Sequence, residues 1–192
     1  MAITGAPLEP VEIDPHNRRL LESLGRLRVL AWASELPAIA SRTECYLDDF
    51  ELMSRHWCIF HEGEPVAAAR LSIHQRIGDV PDAAVYRDVF VSPPPSPIGS
   101  INRLVTHPRF RGRGLSRKLD EVRIRAATDA GCRCVIGATP SGESRVRAMT
   151  ELGFRPVGEP VLDEFDWFLA GSLNQVVILP IDQAAYRPIV TP

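Results

Sequence analysis

Apolar residues recur at helical spacing from Asn17 to Leu36. Leu20, Leu24, Leu27 and Ala31 form one stripe, and Arg18, Arg19, Glu22 and Arg26 populate the rest. The pattern predicts a helix that Pro37 stops. Ser41 to Ser54 predicts a second, shorter helix, with Asp48, Asp49 and Glu51 set among Leu47, Phe50 and Leu52. The period then changes. Trp57-Cys58-Ile59-Phe60 reads as an apolar strand, Glu62-Gly63-Glu64 as a turn and Pro65 to His74 as a second strand, together a hairpin. From Gln75 to Gly99 the periodicity dissolves. Pro93-Pro94-Pro95-Ser96-Pro97 is incompatible with a sheet interior, because proline donates no ladder hydrogen bond. That run predicts a rigid loop.

Regular pattern returns with a strand at Ser100 to His107, a basic glycine loop at Arg109 to Gly114 and a helix at Leu115 to Ala130. The helix carries Leu115, Leu119, Val122 and Ala126 on its apolar stripe, with Arg117, Lys118, Glu121 and Arg125 mostly outward. Gly131 caps it. Cys134 to Ala138 reads as a short buried strand. Pro140-Ser141-Gly142 opens a helix running to about Leu152, with Thr139 and Ser141 as its expected caps. Gly153 ends that helix, Phe154 to Val157 resumes extended structure, and Gln175 to Pro180 is a final strand. The order αα-ββ-β-α-β-α-β-β predicts an α/β fold, a mixed sheet flanked by helices on both faces. It fits a single domain over residues 1–192, with a loose N-terminal segment at 1–15 and a Pro-rich loop at 75–99.

Composition narrows the function classes. Of the 192 residues, 22 are basic and 24 acidic, so the net charge of -2 gives no general case for nucleic acid. Lys118 is the only lysine. A chain of this length buries a core without staples, so Cys45, Cys58, Cys132 and Cys134 are expected as reduced thiols. Cys132-x-Cys134 lacks a second pair or a histidine cluster, and no metal is expected. Met1 to Pro15 shows no basic region followed by an apolar stretch, and no apolar run approaches the roughly 20 residues of a spanning helix. A cytoplasmic protein without membrane or nucleic-acid partners is the expectation.

The candidate chemistry lies in the strand–loop–helix unit around Arg109-Phe110-Arg111-Gly112-Arg113-Gly114. Gly112 and Gly114 remove side chains where a ligand must approach the backbone. The first amides of the following helix lack intrahelical partners and, with the helix dipole, form an anion site. Arg109, Arg111 and Arg113 add charge suited to phosphate oxygens, so a diphosphate fits. No Gly-Lys-Ser/Thr follows, which excludes a Walker A loop, and the spacing lacks the third glycine of a dinucleotide fingerprint. Taken alone, the loop also fits a basic turn facing solvent.

The pattern Arg-x-x-Gly-x-Gly, after a strand ending Leu104-Val105-Thr106-His107-Pro108 and before an amphipathic helix, resembles the coenzyme A motif of the GNAT acyltransferase superfamily. Cys134-Val135-Ile136-Gly137-Ala138, a helix and Leu152-Gly153-Phe154 resemble the next strand–helix–strand unit of that family. The resemblance covers roughly Trp57 to Val157. It implies that acetyl-CoA, or another acyl-CoA, is the cosubstrate. Its pyrophosphate would lie on Arg109, Arg111, Gly112, Arg113, Gly114, Leu115 and Ser116. Its pantetheine arm would lie along Leu104, Val105 and Thr106, where a bulge normally splays the strand from Cys134 to Ala138. The implied activity is direct acyl transfer to a small amine, with no covalent enzyme intermediate.

Three positions depart from the family pattern. Met149 stands where a tyrosine acid is frequent, Gly142 where an asparagine is frequent, and Asn102 where a catalytic Glu or His is frequent. Strand alternation puts Ser100, Asn102, Leu104 and Thr106 on one face, the cleft face if the resemblance holds. Asn102 and His74 are the candidate catalytic residues; His107 is expected outside the reaction centre. Ile101-Asn102-Arg103-Leu104-Val105 is also similar to a strand of acyl-homoserine-lactone synthases, relatives of the same fold that use S-adenosylmethionine. The alternatives to an N-acetyltransferase are therefore a non-catalytic acyl-CoA sensor and a lactone-synthase-like acyltransferase. Acceptor choice is expected to lie with the N-terminal helices, the 75–99 loop and Glu159 to Ser172. A homodimer through the last strands is a further expectation from relatives.

Overall fold

The computed structural model describes residues 7–34, 41–162 and 173–181. Seven strands form one mixed sheet: β1 (Val11–Ile13), β2 (Arg55–His61), β3 (Glu64–His74), β4 (Ile98–Thr106), β5 (Cys134–Pro140), β6 (Arg155–Leu162) and β7 (Leu173–Pro180), in the order β1-β2-β3-β4-β5-β7-β6. Three α-helices accompany them among the described residues: α1 (Arg18–Ala33), α2 (Leu115–Asp129) and α3 (Glu143–Glu151). The chain divides into two compact units, Met1–Arg70 with Arg103–Arg123 and Leu71–Asn102 with Ile124–Pro192, and β3, β4 and α2 each contribute to both.

In the first unit α1 begins where Asn17 caps it, the side chain accepting from the Leu20 amide at 3.2 Å. Three of its four predicted stripe residues are buried, while Leu20 is half-buried against the same core and Leu21 takes the inner place. Leu21, Leu24, Leu27 and Ala31 join Ile13, Cys58, Ala68 and Val105 in one core. The predicted stop at Leu36 and Pro37 falls outside the described residues. The β2–β3 turn uses Glu62 (φ 52°) and Gly63 (φ 84°), the pair of left-handed residues that a tight hairpin needs.

Two expectations for this unit are overturned. The start at 1–15 is not loose throughout, because β1 pairs antiparallel with β2 (Val11 with Cys58, Ile13 with His56) and Glu12 holds Arg55 at 2.7 Å. No helix forms over Ser41 to Ser54. That segment is a chain of turns, because Asp48 and Glu51 are drawn inward by arginines of α1, β3 and β4.

In the second unit β4 runs parallel to β5 with Ile98, Gly99 and Ser100 opposite Cys134, Val135 and Ile136. β5 pairs antiparallel with β7 along its whole length, and β7 with β6 around an irregularity between Val157 and Val161. The 75–99 segment is more ordered than a bare loop. Short 3-10 turns at Ile77–Asp79 and Ala83–Tyr86 place Val80, Val85 and Tyr86 against Ile98, Cys134, Ile136, Val176 and Ile178. The proline run is tied down by the Arg133 amide donating to Pro97 O (2.8 Å) and Cys134 Sγ to Pro95 O (3.2 Å). Gly142, not Thr139 or Ser141, is the N-cap of α3, and no side chain caps it; the Ser141 amide instead donates to Leu173 O. No helix among the described residues is long and apolar enough to cross a membrane.

Candidate functional site

β4 leaves the sheet at His107, whose backbone N–H donates to Val66 O at 2.8 Å. Its ring Nδ1 accepts from the Arg109 amide (3.1 Å) and opens a 3-10 turn at Pro108–Phe110. Phe110 then stacks edge-on against both His107 (5.7 Å) and His61 (5.0 Å). The loop is therefore fixed at its root by aromatic contacts that the glycine pattern did not reveal. His107, expected outside the reaction centre, serves here as a support.

Gly112 and Gly114 adopt φ of 75° and 74°, a left-handed conformation that glycine takes without penalty. A Cβ at either position would meet nothing within 4 Å, so these glycines are required by backbone shape and leave open surface above them. α2 follows at once. The Lys118 amide donates to Gly114 O at 3.2 Å, while the Leu115 and Ser116 amides come earlier, where a helix offers no carbonyl of its own. Open backbone, early amides and the positive helix end together suit a diphosphate.

The three arginines differ. Arg109 is exposed. Arg113 lies over the Phe110 ring, 4.8 Å from its centroid. Arg111 reaches the end of α1, donating from Nη2 to Ala31 O (3.1 Å) and Ser34 Oγ (3.0 Å). Leu115 is buried and Ser116 half-buried. In β4, Val105 sits in the α1 core, whereas Leu104 and Thr106 are half-buried.

Asn102 is half-buried, and its Nδ2 donates to Ser100 O (3.1 Å) and Ser100 Oγ (3.3 Å) and reaches Ser72 Oγ at 3.5 Å. Its amide nitrogen thus braces β4. His74 ends β3 and is half-buried; in the turn beyond it the hydrogen bond from Arg76 holds the Asp79 carboxyl below its ordinary value. Met149 is 1% exposed and offers no titratable proton.

A polar network in the first unit escaped the sequence reading. Arg28 of α1 grips Glu51 with both terminal nitrogens, Nη2 to Oε2 at 3.1 Å. Arg70 of β3 bridges Glu51 (Nη1 to Oε1, 2.9 Å) and Asp48 (Nη2 to Oδ2, 2.9 Å). Arg103 of β4 donates to the same Asp48 Oδ2 from Nε at 3.0 Å and to Tyr46 Oη at 3.2 Å. Burial pushes the Asp48 and Glu51 carboxyls up, yet the arginine hydrogen bonds and charges outweigh it and hold both below their ordinary values. Burial holds His56 below its ordinary value, and its Nε2 lies 2.8 Å from Glu51 O, so the neutral ring donates there. Arg103 has φ 52°, a conformation that costs a non-glycine residue about 1 to 3 kcal/mol. In the sequence, Arg28 stands between Leu27 and Val29, Arg70 inside the run Val66–Leu71, and Arg103 between Asn102 and Leu104.

A parallel β4–β5 pair feeding a glycine loop and an anion-ready helix defines the class of CoA-handling acyltransferases. The sequence profile of the acetyltransferase (GNAT) family matches residues 21–154. The chain belongs to that family, and with it to the acyl-CoA-dependent N-acyltransferases. A search of curated proteins found no match. Among solved structures it is similar to a CoA-dependent acyl-homoserine lactone synthase, BjaI, with SAM and isopentyl-CoA (18% identity, 91% of this chain and 83% of that one, TM-score 0.67). It is also similar to Escherichia coli ElaA (17%, 90% and 99%, TM-score 0.64) and to an acyl-CoA N-acyltransferase from Pseudomonas aeruginosa (18%, 90% and 99%, TM-score 0.58).

Proposed function

We propose that the protein transfers an acyl group, acetyl foremost, from acyl-CoA to a small amine by direct attack. The carrying observation is the loop at Gly112 and Gly114, whose left-handed backbone opens onto the α2 N-terminus beside Arg109 and Arg113. The pyrophosphate would take the amides of Gly112 to Ser116, and the pantetheine arm would follow the backbone of Leu104 to Thr106. The neutral amine forms its C–N bond to the thioester carbonyl as the C–S bond breaks. The thiolate leaves with a proton, and the amine gives one up to a base or to water. Asn102 and His74 are the candidates for positioning the amine or taking that proton; Met149 has no part in it. The test is thermal stabilisation by CoA, acetyl-CoA and longer acyl-CoAs, followed by thiol release with a panel of amines. Stabilisation without thiol release would leave a sensor, and no stabilisation by any CoA would refute the reading.

A second reading, a lactone-synthase-like acyltransferase, is favoured by Arg103 in the Ile101–Val105 strand and by its anchorage on Asp48, which Arg70 also holds. Thiol release that requires S-adenosylmethionine and a longer acyl chain would select it over the acetyltransferase.

A further inference from the structure

Arg103 occupies a place where glycine would serve more easily. It has φ 52° within β4, a left-handed conformation in the middle of a strand, and it stands two residues beyond Ile101, where the β4 ladder with β5 has just ended at Ser100 and Ile136. A non-glycine residue stays in that conformation only where its surroundings over-determine it. The surroundings do so. The guanidinium is buried, with Nη2 2.9 Å and Nε 3.0 Å from Asp48 Oδ2, Nη2 3.2 Å from Tyr46 Oη and its carbon 5.2 Å from the centroid of the Tyr46 ring. Neither partner is loose. Asp48 is also held by Arg70 and by the Phe50 amide at 3.0 Å, and the Tyr46 amide donates to Gly25 O at 3.2 Å.

We propose that Arg103 is a positioning residue: its side chain, clamped by Asp48 and Tyr46, sets the left-handed kink that presents Leu104 to Thr106 to the acyl-CoA thioester. This rests on the acyltransferase reading above. A glycine would permit the kink; the clamped arginine enforces it. The turns of 46–51, which contact α1 through Arg28 and Gly25, thereby fix the geometry of the strand that carries the donor.

Steady-state thiol release and amide hydrogen exchange test this on the full chain. Arg103→Gly accepts φ 52° without strain but lacks the clamp. Its kcat is expected to fall about ten- to hundredfold, the loss typical of reacting groups misplaced by an ångström, with KM for acyl-CoA within about twofold. Tyr46→Phe removes one hydroxyl and keeps the ring, and should lower kcat about three- to tenfold. Because Asp48 acts through Arg103, adding Asp48→Asn to Arg103→Gly should lower kcat no further. Wild-type kcat in Arg103→Gly or Tyr46→Phe, or additive losses in the double variant, would overturn the proposal. Should Arg103→Gly fail to fold, Tyr46→Phe decides. If the wild type releases thiol from no acyl-CoA, the acyltransferase reading fails separately, and exchange of the Leu104 to Thr106 amides still tests the clamp. Faster exchange there in Tyr46→Phe, with α2 unchanged, supports the clamp, and equal exchange overturns it.

Discussion

Substituting Gly25 by alanine should destabilise the protein, although helix propensity alone predicts the opposite. Gly25 is buried in the middle of α1, where alanine ordinarily gains up to about 1 kcal/mol over glycine. Here an added Cβ would collide with Cys45 Sγ and stand 3.1 Å from Tyr46 O and 3.2 Å from Leu47 Cδ2. One obstacle, Tyr46 O, is backbone, and it is tethered. The Tyr46 amide donates to Gly25 O, and Tyr46 O accepts from Arg28 Nη1 at 3.2 Å, so the 45–47 segment cannot retreat without loosening both. Overpacking of this kind costs about 1 to 3 kcal/mol. Set against the full propensity gain, a net loss of up to about 2 kcal/mol remains, a fall of up to roughly 8 °C in Tm for a chain of this size. Thermal melts followed by circular dichroism measure it, with Gly25→Ala/Cys45→Ala as the companion. Removing Sγ relieves the worst contact, so the double variant should recover much of the loss relative to Cys45→Ala alone. A Gly25→Ala protein that melts above the wild type would refute the reasoning.

Acid should weaken the fold in two stages. His56 is held below its ordinary value of about 6.5, so the unfolded chain binds its proton first and stability falls as pH drops from that point. Asp48 and Glu51 are also depressed, and their contribution, full above the ordinary carboxylate range, is lost below about pH 4; melts from about pH 8 to pH 3 would show it. Arg70→Met leaves Asp48 and Glu51 each short of a partner and should cost about 3 to 5 kcal/mol in denaturant titrations; a loss under about 1 kcal/mol would contradict the role of the network. Gly114→Ala forces a side chain into φ 74° with open space around it, so stability should fall by only about 1 to 2 kcal/mol while calorimetric CoA affinity drops at least about tenfold.

Much of the architecture was legible because its signals are local. α1, α2 and the β2–β3 hairpin carry their period in their own residues, and Gly112 and Gly114 marked the loop, read as room for a ligand at the backbone, to which the structure adds their left-handed φ. What failed depended on partners far along the chain. Leu47, Phe50 and Leu52 among acids look amphipathic within a window of 14 residues, yet Leu52 is 63% exposed and Asp48 pairs with Arg103, 55 positions away. β1 is three residues long among prolines and exists because β2 supplies its ladder. On α2, Asp120 and Arg123 are fully buried as a mutual pair, with Arg123 Nη1 also donating to Arg70 O at 3.2 Å. Composition would have placed both in solvent. The loop at 109–114 was found by its glycines, but the docking of Arg111 on α1 and the His61–Phe110–His107 stack follow from where α1 and β2 arrive. Asn102 was read as a candidate catalytic residue from its place on the strand, and its bonds to Ser100, which depend on the β4 backbone, were not legible.

The central claim, that the α2 N-terminus and its glycine loop hold the diphosphate of acyl-CoA, is tested most directly by titrating CoA into isotope-labelled protein and following its backbone amides by NMR. The account predicts saturable shifts concentrated at Gly112, Arg113, Gly114, Leu115 and Ser116, with smaller shifts from Leu104 to Thr106. Saturable shifts confined to another part of the chain, or none at any CoA concentration, would contradict it.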